Sequence, residues 1–246
     1  MSLISVHPSL VENMKELSEL ESQLKERRCR LDTNIGVKMK FVIELIRICS
    51  GWKERVIIFS QLLDPLNLIK EQLNSLFSWT LGREILYKDG KIDVNQRQIS
   101  INSLNDPKSD VKVLLASTKA CSEGISLIGA SRVVLLDVLW NPSVEQQAIS
   151  RAYRTGQKKF VHVYCPVTSK WEVDKIEQQT RKRYHSDVLL SRNEENTSCS
   201  VSEDNILECM VKQEGLRHIF EKQSHAPHVV PTTCFNSGSQ PSKGSS

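Results

Sequence analysis

The 246-residue chain has 39% hydrophobic residues, enough for one domain of moderate size with extensions, and 33 basic against 29 acidic residues leave a net charge of only +4, which by itself does not demand a nucleic-acid partner. No apolar run approaches the roughly 18 residues of a membrane span, and MSLISVHPSL lacks a basic start followed by an apolar stretch, so the chain is expected to stay inside the cell and off the membrane. Its seven cysteines (Cys29, Cys49, Cys121, Cys165, Cys199, Cys209 and Cys234) form no C-x-x-C pair, and His225 and His228 have no further ligands nearby, so neither a disulfide framework nor a metal site is expected.

Residues 1–33 read as a helical lead-in, because SLVENMKELSELESQLKERRCRL sets Leu17, Leu20 and Leu24 at helical spacing among dense charges. From Gly36 onward helices alternate with short apolar strands. VKMKFVIELIRIC reads as a helix with Phe41, Leu45 and Cys49 on one side and Val42 and Ile46 beside them, and RVIIFS (55–60) as a buried strand. DPLNLIKEQLNSLF follows as a helix, with Asp64 as its N-cap and Pro65 at the first helical position, where a missing N–H does no harm. EILY, a turn at Asp89-Gly90, a helix around NQRQISINSL, and the strands VKVLLAS (111–117), RVVLLD (132–137) and FVHVYCPV (160–167) complete the series.

Apolar strands separated by helices predict an α/β domain over residues 34–190, with a parallel sheet covered by helices on both faces and helical extensions at its flanks. Five acids and one base between Ser191 and Cys209 mark an acidic linker over 191–203. An amphipathic helical pair is predicted over 204–223, broken at Gly215. Its apolar residues Ile206, Leu207, Met210, Val211, Leu216, Ile219 and Phe220 are expected to dock on the domain or on a partner. The stretch 224–246, rich in Pro, Ser, Thr and Gly with Lys243 as its only charged side chain, is expected to be disordered.

In parallel sheets ligands bind beyond the carboxyl ends of the strands. Those ends are Ser60-Gln61, then Ser117-Thr118-Lys119 with the turn ACSEGIS, then the Trp140-Asn141-Pro142 corner after Asp137. In WNPSVEQQAISRAYRTGQ (140–157), Gln147, Arg151 and Arg154 fall within about a 60° arc of a single helix face. Arginine is a planar fork of donors that matches phosphate oxygens, so this face is predicted to address an anion. A bare R-x-x-R would as readily belong to a surface helix whose arginines pair with acids. From Arg151 to Arg183, nine Lys/Arg against three Asp/Glu make a local +6, a phosphate-facing strip whose distal part, RKRYH at 181–185, is equally compatible with a solvated helix face.

WNPSVEQQAISRAYRTGQ resembles the last conserved motif of superfamily 2 helicases in its Swi/Snf-type form, W-N-P-x(4)-Q-A-x-x-R-A-x-R-x-G-Q, over all eighteen positions. STKACSEGISLIGASRVVLLD (117–137) resembles the preceding motif, ERVIIFSQLLDPL (54–66) the motif that opens the second lobe, and DGKIDVNQRQISINSLND (89–106) the block between them. The finer wording ACSEGISLIGASRVVLLDV and the ending EDNILECMVKQEGLRHIFEK resemble the plant CLASSY group of remodellers, with the ATRX and recombination-type remodellers next. The resemblance implies a RecA-like second lobe in which Arg151 and Arg154 reach across a cleft to ATP and Mg²⁺ held by a first lobe, while Gln147 positions the phosphates and the attacking water. It implies that Gly124 and Ser126 line the nucleotide side, and that Ser60, Gln61, Ser117, Thr118 and Lys119 hold the DNA backbone. Trp140 either stacks on a base or wedges the strand-helix corner. Many family members have two glycines where this chain has Cys121-Ser122, a stiffer loop in which Cys121 reads as a small packed side chain rather than a nucleophile.

A motor of this type also needs a G-x-x-x-x-G-K-[ST] phosphate loop and an acidic box for magnesium, and the 246 residues contain neither. Two readings follow. The chain is the second half of an ATP-dependent translocase on double-stranded DNA and chromatin, working with a first lobe in cis or in trans. Alternatively, it is a non-catalytic module that binds DNA or protein and keeps the fold. The CLASSY resemblance further implies a nuclear factor that works with plant RNA polymerase machinery to produce small RNAs directing DNA methylation.

Overall fold

The computed structural model describes residues 2–10, 18–90, 94–121, 124–190 and 204–220. Leu17, Ser122, the acidic stretch 191–203 and the stretch 224–246 with His225 and His228 therefore lie outside the described residues, as do the side chains of Leu20 and Cys121.

The lead-in comprises Ser2–Val6 (α1), a 3₁₀ turn at Pro8–Leu10, Ser18–Lys25 (α2) and Arg27–Leu31 (α3). A single continuous lead-in helix does not form. Glu26 is extended (φ −55°, ψ 142°), and the break lets α3 turn onto the body. There follow Val37–Gly51 (α4), Val56–Ser60 (β1), Leu63–Phe77 (α5), Ile85–Lys88 (β2), Val94–Asn105 (α6), Val113–Ser117 (β3), a 3₁₀ turn at Thr118–Cys121, Arg132–Leu135 (β4), Pro142–Ala152 (α7), His162–Tyr164 (β5) and Lys170–Leu190 (α8). Asn205–Lys212 (α9) and Arg217–Phe220 (α10) close the described chain. Arg30 of α3 pairs with Glu71 of α5 at 3.0 Å, and the Gln72 side chain donates to the Arg30 carbonyl at 2.8 Å.

All five strands are parallel, in the order β2-β3-β1-β4-β5. Their period of two splits the core. Val56, Ile58, Val113, Leu115 and Val134 face α4 and α5, while Ile57, Phe59, Leu114, Val133 and Leu135 face α6 and α7. The helices thus cover both faces, as expected for an α/β domain with strands buried throughout.

The helix after β1 starts earlier than its sequence suggests. Its cap is Leu62, with Asp64 inside the first turn and no side-chain cap bond, which corrects the expectation that Asp64 is the N-cap. The Ser60 hydroxyl accepts from the Leu62 N–H at 3.1 Å, so the chain turns as soon as it leaves the sheet. Pro65 is still tolerated, because the first four N–H groups of a helix have no partner within it.

The amphipathic pair packs on the domain. Ile206, Met210 and Leu216 are buried in the α4 side of the core, and Phe220 meets Phe41 edge-on with ring centroids 6.3 Å apart. Asp204 caps α9, accepting from the Ile206 and Leu207 N–H groups at 3.2 Å. The same carboxylate pairs with Arg132 and accepts from the Tyr164 hydroxyl at 2.6 Å. Val211 stays 46% exposed, outside the contact. No described helix is long and apolar enough to cross a membrane.

Candidate nucleotide and nucleic-acid site

Register places the carboxyl ends of β3, β1 and β4 side by side, with Ser60 opposite Ser117 and Phe59 opposite Leu135. At this edge Asp137 gathers the chain. Its carboxylate accepts from the Ser60 hydroxyl at 2.6 Å and from the Gln61 N–H at 2.7 Å. Ser60, Ser117 and Thr118 are buried, whereas the side chains of Gln61 and Lys119 are exposed. The residues drawn from three separate segments therefore meet on one edge, with Gln61 and Lys119 presented to solvent and the three hydroxyl residues beneath them.

Trp140 is 53% exposed at the corner between β4 and α7. The Lys175 ammonium lies 4.8 Å from its ring centroid and the Lys182 ammonium 6.0 Å, both from α8. Lys175 is also 3.8 Å from the Trp171 ring centroid. Burial lowers the Lys175 pKa, against the pull of Asp137 and Glu172 and with Lys38 adding to the shift. The corner is thus cationic and aromatic at once, a combination that suits phosphate backbones and base faces alike.

The Asn141 side chain caps α7, accepting from the Ser143 N–H at 3.0 Å, and Pro142 occupies the first position, where it needs no donor. Ala148, Ile149 and Ala152 are buried, which turns Gln147 outward and leaves Arg151 half-buried. The helix ends at Ala152, two residues short of Arg154. The expectation that Gln147, Arg151 and Arg154 share one helix face therefore holds for the first two only. Tyr153 leaves helical geometry (ψ 88°), and a turn closed by Gly156 at φ +102°, a left-handed conformation that favours glycine, carries Arg154.

That turn is stitched to the neighbouring loop. Arg154 Nη1 donates to the Gly124 carbonyl at 2.9 Å, and the Leu127 N–H donates to the Arg151 carbonyl at 2.8 Å. Buried Gln157 donates its amide to the carbonyls of Ile128 (3.1 Å) and Ala130 (2.9 Å), which closes the end of the motif onto the same loop. Gly124 is exposed and Ser126 half-buried, and the Asn105 side chain holds the loop from behind through the Ser126 carbonyl and the Gly129 N–H. A Cβ on Gly129 would stand 2.0 Å from the Leu104 carbonyl oxygen, so only glycine permits this approach.

Asp137, Asn105 and Gln157 were not among the expected site residues. Only Asp137 carried a usable signal, an acid ending an apolar strand beside the proposed binding edge. Among the described residues, no group of three or more His, Cys, Asp or Glu side chains gathers as a metal ion would require.

Residues 37–156 match the helicase conserved C-terminal domain. The chain is 48% identical over 237 residues to the SNF2 domain-containing protein CLASSY 3 of Arabidopsis thaliana, covering 90% of this chain and 17% of that protein. It is 47% identical over 240 residues to CLASSY 4 of the same plant, covering 92% of this chain and 21% of that protein. The chain thus spans about a fifth of the length of these curated relatives. The structure also matches the C-terminal part of the Fun30 ATPase domain with a TM-score of 0.54 at 24% identity, over 82% of this chain and 60% of that one, a likeness of fold alone. With its five-stranded parallel RecA-like sheet and the complete W-N-P to G-Q motif, the chain belongs to the Swi/Snf-type helicase family as a C-terminal lobe, in the company of the CLASSY proteins.

Proposed function

We propose that the chain is the second lobe of an ATP-dependent translocase on double-stranded DNA, in which Arg151 and Arg154 complete an ATP site whose phosphate loop and magnesium ligands come from a first lobe in cis or in trans. The observation that carries this reading is the bond from Arg154 to the Gly124 carbonyl, which stands the guanidinium on the same loop that Arg151 supports through its own backbone. The Arg154 guanidinium beside an exposed glycine, with Arg151 in the last turn of the adjoining helix, suits the oxygens of a terminal phosphate, so the residues present fit one side of a nucleoside triphosphate. Bound ATP with magnesium supplies the phosphoanhydride bond that is cleaved. The chain's part is to place positive charge where negative charge accumulates during transfer and, through Gln147, to orient the attacking water. Gln61, Lys119 and the Trp140 corner lie on the adjoining edge and are proposed to hold the DNA backbone, with Ser60, Ser117 and Thr118 shaping that edge from below.

The similarity to CLASSY proteins supports a nuclear role in chromatin, beside plant RNA polymerase machinery that produces small RNAs for DNA methylation. The experiment is a two-lobe protein assayed for DNA-stimulated hydrolysis and for DNA binding, with and without Arg154→Ala. Hydrolysis is expected to fall about 10³-fold or more while DNA binding stays nearly intact. The same substitution in the full gene is expected to remove small RNAs from the loci that depend on it. Hydrolysis unchanged by Arg154→Ala would refute the role given to Arg154, a two-lobe protein without DNA-stimulated hydrolysis would leave the non-catalytic DNA- or protein-binding reading, and an unchanged small-RNA profile would refute the methylation role.

A further inference from the structure

β4 ends at Leu135, with the Leu136 N–H making a last bond to the Phe59 carbonyl of β1 at 2.9 Å, yet the residues from Leu136 to Leu139 stay buried. Their carbonyls need donors, because an unpaired buried C=O is costly. Side chains from two helices supply them. Lys38 of α4 donates to the Leu136 carbonyl at 3.2 Å, Lys175 of α8 to the Val138 carbonyl at 3.2 Å, and Gln179 of α8 to the Leu139 carbonyl. Gln179, 3% exposed, has a second bond from the same amide nitrogen to Glu145 Oε1 at 2.8 Å. That carboxylate oxygen also accepts the Leu139 N–H at 3.0 Å.

We propose that Gln179 is a positioning residue for the α7 arginine and glutamine, acting through Leu139 and Glu145. Glu145 sits in the first turn of α7, two residues before Gln147 and six before Arg151. The Leu139 peptide precedes Trp140 and the Asn141 cap directly, so Gln179 grips both the strand exit and the helix start with one amide group. Its bonds set the angle at which α7 leaves the sheet, and with it where Gln147 and Arg151 stand above the loop at Gly124. This inference rests on the reading of Arg151 and Arg154 as groups that complete an ATP site.

Gln179→Met keeps the size and removes the donor. Gln179→Glu keeps the shape and turns a carboxylate toward Glu145. In the 246-residue chain, both are expected to speed hydrogen exchange of the Leu139 amide without lowering helix content. In the two-lobe protein, both are expected to lower kcat by about 10- to 100-fold at nearly unchanged KM for ATP, since small displacements at a reacting centre carry penalties of that order. Adding Glu145→Gln to Gln179→Glu returns an amide donor to the pair and is expected to recover part of kcat. Accelerated Leu139 exchange with wild-type kcat, in a protein whose Arg154→Ala variant is inactive, would overturn the positioning role and leave the arginine reading standing. An active Arg154→Ala variant would overturn both.

Discussion

Lys119 illustrates what one residue would contribute at the proposed binding edge. It stands in the turn directly after β3, exposed above buried Ser117 and Thr118, so its ammonium can meet a phosphate without displacing any part of the core. A contact of that kind carries no base information and works by releasing counterions. Lys119→Ala is accordingly expected to weaken duplex binding equally across sequences and to reduce the slope of log affinity against log salt by about 1. Binding titrations at several salt concentrations check this, and a loss confined to some sequences would contradict a backbone contact. Burial pushes the thiols of Cys49 and Cys165 up to about 12, which keeps both protonated at neutral pH.

At the scale of elements, the C-terminal helices are held by a charge cluster as well as by apolar burial. Arg132 bridges Glu54 at 2.6 Å and Asp204, with Tyr164 and His162 alongside. Burial pulls the Arg132 guanidinium down, but Tyr164, Asp204 and Glu54 outweigh it and leave it raised. Asp204→Ala removes the α9 cap and leaves Arg132 short of one buried partner, and is expected to cost about 3 kcal/mol of stability. Denaturant unfolding of the chain measures it, and a loss within about 0.5 kcal/mol would mean that the apolar contacts of Ile206 and Met210 suffice alone. The cluster centres on Arg132 and His162, the first residues of β4 and β5, and Glu54 also pairs with Lys159 at 3.8 Å, so it reaches the chain that leaves the Arg154 turn.

At the scale of the whole molecule, four buried groups among the described residues shape the dependence of stability on pH. Burial holds His7 and His162 below the ordinary histidine value of 6.5. The unfolded chain therefore takes up protons first as pH falls below that value, and the folded state loses stability there. Burial pushes the Glu172 and Asp204 carboxyls up, but hydrogen bonds outweigh it, from Lys38 at Glu172 and from Tyr164 at Asp204 with Arg132 adding its charge, so both end below their ordinary values. Their contribution is complete above about 4.5 and 3.8 and is lost as pH falls through the lower folded values. All four act in one direction. The melting temperature is expected to be flat near neutrality, to drop from about pH 6.5 downward and to drop faster in the carboxylate range. Melting curves from pH 4 to 8 test this, and His7→Gln with His162→Gln should flatten the upper part alone.

The alternation of apolar strands and helices was enough to predict the sheet, its parallel sense and its cover on both faces, because those features follow from local periodicity and from the need to bury continuous apolar runs. The motif from Trp140 to Gln157 likewise led to the proposal of an anion-facing edge, because the guanidinium and amide groups that the proposal uses are spelled out within eighteen residues. Three features required the folded chain. Arg154 left the helix for a turn because Gly156 and Gln157 bind it to a loop nearly thirty residues away, Asp64 lost the cap because Ser60 is tied to Asp137 across two strands, and Gln179 met Leu139 and Glu145 from a helix forty residues on. Each depends on hydrogen bonds between segments distant in sequence, and local pattern holds no information about which distant donor will reach a buried acceptor once the sheet has closed.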